Sequence, residues 1–151
     1  MMNWDNYEKK KRMAEQVNKE AQKDVFFDID EIMKLDDDTS DKVVGVMLQW
    51  ACQSQYDTTI YMGRDYLTRF PKDWITEKIK HTAPSYIDIT DYWDYQRLLE
   101  LSKIISDELL RWSVLLGKDA DDPEIADAAD EYFNILIEVK ICKEKRNGYA
   151  L

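Results

Sequence analysis

The sequence is poor in the residues that turn or break a chain. Four Gly and three Pro are spread over 151 residues, too few for the many turns of a sandwich or barrel, and that scarcity favours long helices. The glycines stand singly at positions 45, 63, 117 and 148, so no Gly-rich phosphate loop is present. One His and two Cys leave little material for nucleophilic catalysis or zinc. A Ser-His-Asp or Cys-His arrangement would have to use His81, which has neither Cys52 nor Cys142 near it in sequence. One His with two scattered Cys offers no accepted zinc spacing. No run approaches the about 18 apolar residues of a membrane span. The opening Met-Met-Asn-Trp-Asp has no apolar signal region, so cytoplasmic residence is expected. Bases are also in deficit: 21 Lys and Arg against 31 Asp and Glu give a net charge of −10. That balance argues against non-specific binding to nucleic acid or acidic lipid. It suits a basic protein partner, and it also suits solubility alone.

What is present points to one all-helical domain over residues 1–151. Apolar residues make up 44% and aromatics 12%, including five Trp, which argues against general disorder despite 34% charge. The length is enough for a real core. Cys52 and Cys142 both fall in apolar helical patterns and read as two reduced core thiols, with a disulfide as the alternative.

The strongest organisation lies between Asp91 and Glu138, around which the rest of the chain is expected to assemble. Thr90 precedes Asp91-Tyr92-Trp93-Asp94, a cap candidate followed by acids. Tyr95, Leu98, Leu101 and Ile105 then recur at spacings of three, three and four, with Leu99 widening the stripe. Ser106-Asp107-Glu108 starts a second helix whose Leu109, Leu110, Trp112, Val114, Leu115 and Leu116 point all round it, so it is expected to be buried between neighbours. Gly117 supplies a left-handed stop. Asp122-Pro123-Glu124 opens a third helix, since proline at the first helical position forfeits no hydrogen bond. Ile125, Ala129, Tyr132, Leu136 and Val139 line one of its faces, and Glu124, Asp127, Glu131, Asn134 and Glu138 line another. Eight acids (Asp119, Asp121, Asp122, Glu124, Asp127, Asp130, Glu131, Glu138) and no base occur from Asp119 to Glu138. Lys140, Lys143, Lys145 and Arg146 follow, in the order that complements the helix dipole.

The amino-terminal part, residues 1–53, reads as a capping helix over about 3–23, a short apolar segment from Val25 to Met33, and a second buried helix from Asp41 to Gln53. The first carries Trp4, Tyr7, Ala14, Val17 and Ala21 on a narrow face, interrupted by Lys9-Lys10-Lys11-Arg12, a solvated helix turn or a nucleic-acid or membrane contact. Asp28, Asp30 and Asp36-Asp37-Asp38 lack the turn glycine and terminal glutamate of a calcium loop, so no metal site is expected. Ser40 or Asp38 is the expected cap of the buried helix. Residues 57–146 read as helix pairs. Ile60, Gly63, Leu67 and Phe70 lead to Pro71, which opens a helix running from Lys72 to about His81 with Trp74, Ile75 and Ile79 inward. Thr82-Ala83-Pro84-Ser85-Tyr86 is the clearest loop, and Asn147-Gly148 the final helix stop.

Leu67, Phe70 and Ile75 recur as Leu101, Ile104 and Leu109, each displaced by 34 residues. Such pairs bury their apolar surface by stacking, and a single irregular bundle is the alternative. Tyr95-Gln96-Arg97-Leu98-Leu99-Glu100-Leu101, then Asp107-Glu108-Leu109-Leu110-Arg111-Trp112, then Asp121-Asp122-Pro123-Glu124-Ile125 leading to Ala128-Ala129-Asp130-Glu131-Tyr132-Phe133 resembles HEAT-type helical repeats over about residues 57 to 138. The resemblance implies a short α-solenoid of antiparallel helix pairs behind an amino-terminal cap. Small acidic bacterial proteins of this look include immunity-type partners of secreted toxins and uncharacterised families. Because the motif marks packing positions, it carries over no functional residue.

The function these features suggest is a non-catalytic protein-binding module, with no cofactor, that engages a basic partner through an acidic, aromatic-bearing surface. Its sharpest form is an immunity-type inhibitor masking a toxin's cationic site. The candidate contact residues are Glu124, Asp127, Glu131 and Glu138, with Tyr86, Tyr92 and Trp93 near the expected loop. The acids also suit a solvated helix face, and Tyr92 and Trp93 also suit core packing. A structural role through self-association of the apolar helices is the alternative.

Overall fold

A computed structural model describes residues 4–149, with side chains described from 6 to 145. Trp4, assigned above to the first apolar face, and Arg146 lie outside the described side chains, and Ala150 and Leu151 lie outside the described residues altogether. Eight helices and no strand occur among the described residues: α1 (Trp4–Ala21), α2 (Ile29–Met33), α3 (Asp37–Gln53), α4 (Asp57–Leu67), α5 (Lys72–Tyr86), α6 (Tyr92–Ile105), α7 (Asp107–Gly117) and α8 (Pro123–Tyr149). None is long and apolar enough to cross a membrane among the described residues.

The hub is α3, not the Asp91–Glu138 region. Its Val43, Val44, Met47, Leu48, Ala51 and Cys52 are buried, and α1, α2, α4, α5 and α6 all pack on it. An apolar circumference is stable only when neighbours cover every side, and burial of each of the Val, Met and Leu side chains contributes about 1.5–3 kcal/mol. The approach of α4 is close: a Cβ on Gly63 would stand 2.7 Å from the Ala51 backbone nitrogen. Asp36, rather than Ser40 or Asp38, caps the helix by accepting from the Thr39 N–H at 2.8 Å. Helix α3 therefore starts earlier than its apolar run, and Ser40 is a buried helical residue.

Helix α6 divides the interior. Leu98, Leu101 and Ile105 belong to the core around α3. Tyr95 and Leu99 belong to a second core with Leu110 and Val114 of α7 and Ile125, Ala128, Ala129 and Tyr132 of α8. The buried hydroxyls of Tyr95, Ser102, Ser113, Thr76 and Ser106 are paired, as low dielectric requires. The Tyr95 hydroxyl donates to the Ser113 carbonyl at 2.8 Å. Ser102 and Ser113 hydroxyls meet at 2.6 Å, and those of Thr76 and Ser106 at 2.8 Å. Ser106 also caps α7 by accepting from the Leu109 N–H, as its sequence position suggests.

Several expectations from sequence are corrected. Thr82 to Tyr86 is not a loop: α5 continues to Tyr86 with Pro84 inside it. An internal proline costs about 3 kcal/mol in a helix, but Thr82 and Ala83 are buried and the Tyr86 ring covers Gly45 of α3, which holds the last turn in place. Gly117 ends α7 without a left-handed conformation; its missing side chain makes room for the Tyr95 ring. Helix α7 is not buried all round, since Leu115 is 64% exposed. Gly148 does not stop α8, which runs on to Tyr149. Cys52 is buried but Cys142 is exposed, and both are free thiols. Of the recurring trio, Leu101 and Leu109 are buried like Leu67 and Ile75, whereas Ile104 is 53% exposed and Phe70 is buried.

Candidate partner-binding groove

Local signals place the first turns of α6 and α8 side by side. Asp91 caps α6 by accepting from the Asp94 N–H at 3.1 Å, so Tyr92 and Trp93 stand in the opening turn. The inward Tyr95, anchored through its hydroxyl, fixes the rotation of that turn. At the other wall, Asp122 accepts from the Glu124 N–H at 2.9 Å, and Pro123 begins α8. Ile125, Ala128, Ala129 and Tyr132 face the second core. The same three-and-four spacing therefore turns Glu124, Asp127 and Glu131 to the outside.

Between these walls lies a shallow groove of about 540 Å³ lined by Tyr92, Trp93, Glu124, Asp127, Ala128 and Glu131. Five of the seven residues expected to contact a partner thus meet in one place. Tyr92 and Trp93 stand edge to face, with ring centroids 5.1 Å apart. Trp93 is 63% exposed, so it is not a core residue. Glu138 lies on the same exposed face of α8 but about 10 Å further along from Glu131, outside the groove. Tyr86 is separate from it: half-buried against α3, its carbonyl accepts from the Gln53 side-chain amide at 2.9 Å. Burial, then the charges of Glu20 and Asp41, raise its phenol pKa.

Trp93 also lines a neighbouring hollow of about 430 Å³, together with Gln55, Asp91, Asp94 and Arg97 among others. The Arg97 guanidinium lies 5.7 Å from the indole centroid and donates to Glu100 at 3.0 Å. Arg64 of α4 also pairs with Glu100. Burial alone would raise the Glu100 pKa, but the two guanidiniums outweigh it and hold the carboxyl below its ordinary value. On α8, burial followed by the charges of Glu100 and Glu131 raises the phenol pKa of Tyr132.

Sequence reasoning missed a second cluster between α3 and α5. Asp41 accepts from Lys78 at 2.7 Å and lies 3.2 Å from His81 Nε2. Trp74 lies beneath the Lys78 ammonium, 5.7 Å away. The adjoining hollow, about 620 Å³, is larger than the α6–α8 groove. Its lysine is already neutralised by Asp41 and Asp37, so the cluster reads as a clasp between helices. The i, i+4 spacings of Asp37 with Asp41 and Trp74 with Lys78 were the available signal. No group of three or more His, Cys, Asp or Glu is placed to hold a metal ion among the described residues.

No family model, curated protein or solved structure matches the chain.

Proposed function

We propose that the chain is a non-catalytic protein-binding module that takes a basic partner in the groove between α6 and α8. The observation carrying this reading is the convergence of two aromatic rings and three outward carboxylates, with no basic side chain lining the groove among the described residues. Charge speeds association, while a few desolvated aromatic anchors supply most of the affinity. An immunity-type inhibitor of a toxin with a cationic site is the specific form favoured by the acidity of the whole chain. The HEAT-like solenoid belongs to the same proposal. It is supported by the antiparallel course of α7 and α8, where Lys143 near the end of α8 pairs with Asp107 at the start of α7 at 3.0 Å.

The test is affinity capture of the tagged protein from its native cells at low and high salt. One stoichiometric basic partner is expected, released by salt and lost when Glu124, Asp127 and Glu131 are all changed to Lys. Retention of the same partner by that triple variant overturns the reading. A second reading, self-association, is favoured by Phe133, Ile137, Val139 and Ile141, which are each partly exposed along α8. Sedimentation mass decides it: a monomer at high concentration removes it.

A further inference from the structure

Aromatic rings on this surface are habitually met by cations. Six Lys or Arg groups lie within about 6 Å of an aromatic centroid among the described residues, the range in which a cation is attracted by the ring. Phe27, Tyr56, Tyr61, Trp93 and Phe133 are all exposed and all paired in this way. Two of these cations are arginines that combine a ring with a carboxylate. Arg97 lies over Trp93 while bonded to Glu100, and Arg64 lies over Tyr61 while paired with the same Glu100. A planar guanidinium suits this double contact, because its face stacks on the ring while its edge donates to the carboxylate. An ammonium is a compact, strongly hydrated charge without that flat face.

The α6–α8 groove places the Trp93 ring near three further carboxylates, and no basic side chain lines it among the described residues. Trp93 comes from α6 and Glu124, Asp127 and Glu131 from α8, while Arg97 lines a neighbouring hollow that Trp93 also lines. We propose that the groove takes an arginine side chain of the partner, stacked on Trp93 with its N–H edge turned to the α8 carboxylates. This deepens the acidic-groove reading and rests on it.

The test compares oligo-arginine and oligo-lysine peptides of equal length, titrated by fluorescence anisotropy against the full chain at low salt. The arginine peptide should bind about fivefold tighter. The preference should vanish in Trp93→Leu, which keeps apolar bulk but no ring, and survive in part in Trp93→Tyr. Circular dichroism confirms that both variants are folded. Equal affinities, or a preference unchanged in Trp93→Leu, overturn the arginine anchor. If binding is equal but falls for both peptides when Glu124, Asp127 and Glu131 become amides, the acidic groove stands and only the anchor is lost. If neither peptide binds at low salt, both readings fall.

Discussion

Helices α3 and α8 are built on opposite plans. Helix α3 is apolar nearly all round and is covered by five neighbours, so its residues serve the fold and leave little to present. Helix α8 buries one stripe, Ile125, Ala128, Ala129 and Tyr132, and leaves its acidic face open. A helix enclosed on every side specifies a structure; a helix with one committed face can carry a surface at little cost to stability. The difference separates residues that hold this molecule together from residues free to recognise something.

Substitutions can break or sharpen that contrast. The largest effect is expected from Leu48→Ala in α3, where a fully buried side chain leaves a cavity and about 2–5 kcal/mol is lost. Ile137→Ala in α8, at a residue 41% exposed, should lose less than about 1 kcal/mol. Urea unfolding of the two variants measures the gap, and equal losses would erase the contrast. Gly63→Ala should follow, at about 1–3 kcal/mol, because the new methyl meets α3 backbone at 2.7 Å rather than a movable side chain. A neutral result in the same unfolding experiment would mean that α4 can shift away from its hub.

The smallest effect concerns pH. Glu100 is held below its ordinary pKa by Arg64 and Arg97 against the opposing effect of burial. A depressed carboxyl contributes stability above its unfolded value of about 4.3, and that contribution disappears as pH falls through the folded value. Glu100→Gln should therefore destabilise the protein at neutral pH while flattening the loss of stability on acidification. Thermal midpoints from pH 7 to pH 3 check this, and parallel curves for the two proteins would contradict it.

Much of this architecture was legible because its signals are local. Ser106 and Pro123 mark the starts of α7 and α8 through short-range chemistry, and the acidic face of α8 follows from its spacing alone. Pro84 misled because its local preference is real, while the burial of Thr82 and Ala83 that overrides it comes from α3, distant in sequence. The centrality of α3 was likewise hidden, since an apolar circumference announces burial but not how many neighbours supply it. The groove residues were legible one helix at a time. Tyr92 and Trp93 follow a non-helical stretch at 87–91 rather than a loop at Thr82–Tyr86, and packing of α6 against α8 brings them to the carboxylates.

The unequal settings of the two cysteines make this chain ready for single-site chemistry. Cys52 is enclosed in the α3 core, and desolvation pushes its thiol pKa upward, which starves it of the reactive thiolate. Cys142 is exposed on α8, about 16 Å along the helix from Glu131. A maleimide dye offered to the native protein should attach at Cys142 alone, placing a reporter on the helix that forms the groove without altering a residue.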